Sequence, residues 1–154
     1  SIVGSRERQV AAATLMATFP GTPMIFAGDE LGAQGLWGED SRTTHPWHLE
    51  SSWDQDLLAS YQQLNQLRTT SNALAYGGLR IIHCDDDVLA YLRETKDERI
   101  LAVISRKPVG EVSFRLQTWS AVKIEPLFGF TAELSGETVT VTIDAAGGGI
   151  WRVL

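Results

Sequence analysis

Hydrophobic periodicity changes character once along this chain, near Thr70 to Gly78. Before that point the pattern is mostly helical. Ser5 is placed to cap a helix running to Phe19, with a polar first turn (Arg6, Glu7, Arg8, Gln9) followed by an almost wholly small or apolar run from Val10. A helix that is apolar nearly all round is packed on most sides. Pro20-Gly21 ends it. Thr22 to Ala27 is a short apolar run without alternation, the pattern of a strand buried on both faces, as in a parallel sheet. Gly28 to Trp53 is then a loop long enough to suggest function. A second helix begins at Ser52-Trp53-Asp54-Gln55, where Ser52 completes a capping box or Asp54 is itself the cap, and runs to about Thr69. Its stripe is Leu57, Tyr61, Leu64 and Arg68, widened by Leu58 and Leu67, which predicts a one-sided surface helix.

Beyond Thr69 the period is two. Leu79 to Cys84 and Val88 to Glu94 read as strands around an Asp85-Asp86-Asp87 turn, and Arg99 to Ser105 as a third. Val112, Phe114 and Leu116 alternate with polar neighbours, as do Val139, Val141 and Ile143. Val122 to Ile124, Leu127 to Phe130 and Ile150 to Leu154 complete the set, with Gly129, Gly136 and Gly147-Gly148-Gly149 as punctuation. Short strands at regular spacing indicate an antiparallel sandwich. The expected division is residues 1–74, helical with one buried strand, and residues 75–154, all-β.

Composition narrows the function classes. The 154 residues carry a net charge of −6 and no basic run, which argues against a nucleic-acid partner or an anionic membrane surface and leaves a neutral ligand such as a sugar open. No apolar run approaches the ~18 residues of a membrane span. The single cysteine, Cys84, cannot form an internal disulfide, which favours a reducing, cytoplasmic setting. The chain opens on Ser1 and not Met, which reads as a cut or processed start.

The residues able to carry chemistry concentrate between Pro20 and Trp47. Asp29 and Glu30 follow the predicted strand. Adjacent strand residues point to opposite faces, so the two are not expected to act together across one glycosidic bond. The plainer expectation is that one of them orders the loop by accepting backbone N–H bonds. Arg42, in Glu39-Asp40-Ser41-Arg42, can anchor the loop on a carboxylate or bond sugar hydroxyls. Trp37 and Trp47 can stack on a pyranose face or pack the loop onto its base. His45 and His48 are two imidazoles without a third ligand, too few for zinc. His83 and Cys84 close a strand with no triad arrangement, and the Asp85 to Asp87 run lacks the glycine and distal glutamate of a calcium loop. No metal or other cofactor is expected.

In combination these segments resemble the α-amylase family (glycoside hydrolase family 13). Pro20-Gly21-Thr22-Pro23-Met24-Ile25-Phe26-Ala27-Gly28-Asp29-Glu30-Leu31-Gly32 resembles that family's eighth barrel strand. Gly38-Glu39-Asp40-Ser41-Arg42 to Pro46-Trp47 resembles its D-x-R-x-x-x-x-W segment. Leu64-Asn65-Gln66-Leu67-Arg68, Asn72-Ala73-Leu74 and Gly77-Gly78 resemble its last barrel helix and the passage into domain C, and Val88 to Arg93 the strand that follows. The resemblance spans roughly Arg6 to Ser105; later strands fit by pattern. Thr43-Thr44-His45 departs from the family's usual ending after the arginine.

The resemblance implies an α+β fold: a helix–strand–helix remnant of a (β/α)₈ barrel, which when complete needs roughly 250 residues, followed by an all-β antiparallel Greek-key sandwich, domain C. It implies a retaining α-glucan-active parent enzyme, with an α-glucan or maltooligosaccharide as partner and Glu30, Trp37, Arg42 and Trp47 as substrate-binding residues. It places the catalytic carboxylates on other barrel strands, the last in an N-H-D motif that this sequence lacks, so the fragment is expected to be structural and inactive alone. Its other partner is the missing barrel. Without that barrel, Thr22 to Ala27 is expected to fray, repack on the sandwich or pair with a second copy of the chain. The alternative reading is a starch-binding β-sandwich module, with Trp119, Phe128, Phe130 and Trp151 as its platform or, more simply, as core aromatics.

Overall fold

A computed structural model describes residues 4–33, 44–118 and 123–154. Among the described residues three α-helices precede eight strands: α1 (Arg6–Thr18), α2 (Gln55–Thr70) and α3 (Asn72–Tyr76), then β1 (Gly78–Cys84), β2 (Val88–Glu94), β3 (Arg99–Ser105), β4 (Gly110–Arg115), β5 (Ile124–Gly129), β6 (Thr131–Ser135), β7 (Thr138–Ile143) and β8 (Gly147–Val153). Each helix starts on a side-chain cap. Ser5 Oγ accepts the Arg8 N–H, Asp54 Oδ1 the Leu57 N–H and Ser71 Oγ the Leu74 N–H. Asp54, and not Ser52, is therefore the cap of α2.

All strand pairs are antiparallel, in two sheets of order β1-β2-β3-β8-β5 and β4-β7-β6. The chain passes between sheets at β3–β4, β4–β5, β5–β6 and β7–β8, as in a Greek-key sandwich. Alternation assigns the faces. Val88, Ala90 and Leu92 of β2, Leu101 and Val103 of β3, and Trp151 and Val153 of β8 meet Phe114, Val139, Val141 and Ile143 of the smaller sheet. Each fully buried Leu, Ile or Val there contributes about 1.5–3 kcal/mol from area removed from water.

The other face of the larger sheet is covered by helices. Ile100 and Ile150 pack with Ala13 and Ala17 of α1, Leu57, Tyr61 and Leu64 of α2, and Ala73 and Leu74 of α3. The molecule is thus three layers deep, and the helical segment shares a core with the sheet. Small residues let α1 lie close to β8: Gly148 faces Thr14, and an added Cβ would stand 2.6 Å from that side chain's Cβ.

Polar groups fasten the C-terminal end of α1 to the same sheet. Arg93, only 1% exposed, donates from Nη1 to Thr18 O (2.6 Å) and from Nη2 to Gly77 O (2.8 Å). Arg68 of α2 donates to Ala17 O (3.2 Å), Phe19 O (3.0 Å) and Gly21 O. Two guanidiniums therefore satisfy carbonyls that the helix end leaves unpaired, with a charge sign suited to its dipole. Burial holds the Arg93 pKa below its ordinary value, and the neighbouring Arg68 charge lowers it further. The Tyr91 hydroxyl shares a 2.6 Å hydrogen bond with Thr18 Oγ1, and burial pushes its pKa up to about 12.

The structure corrects several expectations. Thr22 to Ala27 forms no strand: Met24 is 81% and Phe26 55% exposed, and only Ile25 of the three packs against the helical core. A doubly buried strand needs hydrogen-bonded neighbours on both sides, and the described residues supply none. Helix α1 is packed against β3, β8 and α2, as its apolar run predicts, and Ala12 alone of Val10 to Thr18 is exposed. Gly147-Gly148-Gly149 is strand, not turn. The segment Val122 to Phe130 gives one described strand, β5, in place of two, and Thr131–Ser135 is a strand the periodicity missed. The aromatic platform is not assembled: Trp151 is 1% exposed in the inter-sheet core, Phe130 packs against that core and Phe128 against the helices. Trp119 lies outside the described residues.

Candidate functional site

The segment after α1 turns at Gly28, whose φ of 100° and the φ of 70° at Gly32 bracket a single 3₁₀ turn, Asp29–Leu31. Both angles lie in the left-handed region that favours glycine. At Gly28 an added Cβ would also meet the Ala33 Cβ at 3.0 Å, and at Gly32 the Asp54 Cβ at 3.2 Å. Because Asp29 and Glu30 sit in a 3₁₀ turn and not on a strand, the strand argument for opposite faces does not apply to them.

Glu30 is turned back onto the loop. Its Oε2 accepts the Gly28 N–H at 2.9 Å, and its Oε1 lies 3.2 Å from His45 Nε2. Asp29 is held through its backbone, since its carbonyl accepts from Gln9 Nε2 of α1 at 2.6 Å. Its carboxyl is exposed at the surface yet titrates above the usual carboxylate value, first from partial burial and then from the Glu30 charge beside it. Tyr61, behind the turn, is raised in the same way, chiefly by burial.

The far end of the loop returns to the same place. Asp54 N–H donates to Leu31 O at 3.1 Å, and Asp54 Oδ2 takes Arg6 Nε of α1 at 2.7 Å. Between these ties sits an aromatic group. His45 stacks on Trp47 with ring centroids 3.8 Å apart and planes 27° apart. Trp53 stands edge-on to both rings, at 6.1 Å from His45 and 6.5 Å from Trp47, and donates its indole N–H to Pro46 O at 3.1 Å. Trp47 remains 71% exposed.

Of the predicted substrate-binding residues, the structure therefore brings Glu30 and Trp47 to one cluster through His45. Trp37 and Arg42 lie outside the described residues. His48 is exposed, and among the described residues no group of three His, Cys, Asp or Glu side chains assembles a metal site. His83 pairs with Asp85 at 2.8 Å, in the β1–β2 turn. Sequence reasoning missed the link from Glu30 to His45; no periodicity connects residues across a long loop.

The fold has counterparts among known sequences and solved structures. No family model matches the chain. Over 146 residues, 88% of the chain, it is 30% identical to an amylopullulanase of Thermoanaerobacter thermohydrosulfuricus, covering 9% of that protein. It is 31% identical over 130 residues, 83% of the chain, to a cyclomaltodextrinase of a Bacillus species, covering 23% of it. The debranching enzyme of Nostoc punctiforme superposes with a TM-score of 0.80 at 26% identity, over 96% of this chain and 31% of that one. The chain belongs to the α-amylase family, glycoside hydrolase family 13. It spans less than a third of the length of each of these relatives.

Proposed function

We propose that this chain is the carboxyl-terminal part of a retaining α-glucan-active enzyme, acting there as scaffold and as one wall of the substrate cleft. Residues 1–74 are then the last barrel segment and residues 75–154 domain C. The observation that carries this reading is the pairing of two features in one packed unit. The Gly28–Gly32 turn presents Asp29 and Glu30, and the same segment is bolted through α1 to a sandwich that superposes on a debranching enzyme.

In this reading the chain contributes position, not bond cleavage. Retaining hydrolysis of a glycoside needs two carboxyl groups about 5–5.5 Å apart, one of which forms and then releases a covalent glycosyl intermediate. Glu30 is already engaged by a backbone N–H and an imidazole, which fits an organiser of the loop better than a nucleophile. The exposed apolar side chains Met24 and Phe26 match the sequence pattern of a barrel strand.

The test compares two samples. The 154-residue chain alone is expected to release no glucose or maltose from maltoheptaose. The protein translated from the full reading frame is expected to hydrolyse or transfer α-glucosidic bonds, with α-configured first products by NMR. Activity of the chain alone, or a full-length protein inert on every α-glucan, overturns the reading.

A further inference from the structure

We propose that His45 is a positioning residue that holds Trp47 out as a stacking surface for a pyranose ring. The inference rests on the α-glucan reading above and adds to it a residue and a contact.

An indole left 71% exposed gains little by burial, so something other than packing must keep it in one orientation. Here that is a chain of directed contacts. The Gly28 N–H fixes one oxygen of Glu30 at 2.9 Å, and the other oxygen lies 3.2 Å from His45 Nε2. The imidazole is thus held in place and covers one face of Trp47 at 3.8 Å. Trp53, anchored by its hydrogen bond to Pro46 O, limits sideways movement of both rings. One face of the indole is occupied and its rim is braced, while the residue as a whole stays open to solvent.

A flat, braced aromatic face fits a ligand with a flat apolar face and polar edges, which is what a pyranose presents. The alternatives with aromatic faces fit less well. A nucleotide brings phosphate, which a chain of net charge −6 disfavours, and the Glu30 carboxylate already stands 3.2 Å from the stacked imidazole. His45 stands where the sequence departs from the family's usual ending after Arg42, so the brace is a property of this chain.

The test is binding of maltoheptaose to the 154-residue chain, followed by tryptophan fluorescence and by NMR shifts of the indole N–H signals. Trp47→Ala is expected to weaken binding by about ten-fold, and His45→Ala by about five-fold, with far-ultraviolet circular dichroism unchanged. His45→Phe keeps the stack and drops the hydrogen bond to Glu30, so it should recover a good part of the His45→Ala loss. A merely structural histidine would not be rescued in this way. Absence of binding at millimolar maltoheptaose, or binding that Trp47→Ala or His45→Ala changes less than about two-fold, overturns the proposal. Hydrolysis by the full-length protein is a separate measurement, so the stacking surface can fail while the α-glucan reading stands.

Discussion

Gly148→Ala would separate α1 from the sheet on which it lies. The added Cβ would stand 2.6 Å from both Cβ and Oγ1 of Thr14, and closer still to Cγ2. Rotation about χ1 can move Oγ1 and Cγ2 away, but Cβ is fixed to the helix backbone. Carbon atoms rest about 3.5–4.0 Å apart, so α1 must retreat by about 1 Å. Overpacking of this kind costs about 1–3 kcal/mol. Alanine in place of strand glycine returns about 0.5–1 kcal/mol by restricting the unfolded chain. The net expectation is about 1–2 kcal/mol of destabilisation, read as a lower urea midpoint at unchanged m-value.

Gly78→Ala is the control. Gly78 is likewise a strand glycine, but the nearest neighbour of an added Cβ would be Glu94 O at 3.9 Å, so that variant should match or slightly exceed the parent. Thr14→Gly in the Gly148→Ala background should cost about 0.5–1 kcal/mol less than Thr14→Gly alone, because it removes the Cβ that meets the new methyl group. Gly148→Ala within about 0.5 kcal/mol of the parent, or strict additivity with Thr14→Gly, would refute the reasoning. The retreat should also reach the candidate site, since α1 holds the Asp29 turn through Gln9 and the start of α2 through Arg6.

Two further expectations concern charge. Arg93→Met removes a buried guanidinium that has no carboxylate partner among the described residues but that satisfies the carbonyls of Thr18 and Gly77. Losing two charge-assisted bonds should outweigh the relief of burying the charge, for a net cost of about 2 kcal/mol in urea unfolding; a variant as stable as the parent would reverse that ranking. Asp85 accepts the Asp87 and Val88 N–H groups and His83 Nε2, which hold its pKa down at about 2 against an ordinary 3.8. A depressed folded-state pKa stabilises above the unfolded value and loses that contribution as pH falls through the folded one. Asp85→Asn should therefore flatten the acid limb of stability between those two values, and a carboxyl titration midpoint near 4 for Asp85 would contradict the assignment.

What could be read from the sequence, and what could not, divides by the range of the interaction that decides it. Both long helices and five of the strands are set by local periodicity, capping and turn residues, and they stand where the pattern puts them. Strand β6 was missed because only Ala132 and Leu134 mark its inward face, too short an alternation to outweigh the turn signals on either side. The Gly147-Gly148-Gly149 run reads as punctuation because glycine is locally a turn residue. Its actual roles are set by side-chain packing: Gly148 admits Thr14 of α1, and at Gly149 an added Cβ would stand 2.8 and 2.9 Å from ring carbons of Trp151 on the same strand. The Glu30–His45–Trp47 brace is of the same kind, fixed by a loop that closes on itself.

Thr22 to Ala27 differs in kind, because its apolar pattern is that of a buried strand and its conformation is not. A sequence records the environment a segment is built to occupy; a conformation records the partners it has. Met24 and Phe26 carry the apolar pattern of a strand between two others, while Arg68 and Arg93 fix the turn that leads into it. The entry to the segment is thus held in place by groups within this chain, and its ladder partners are what the proposed barrel would add. Strand propensity alone cannot supply them, because hydrogen bonds between strands come in pairs and every one needs a second strand.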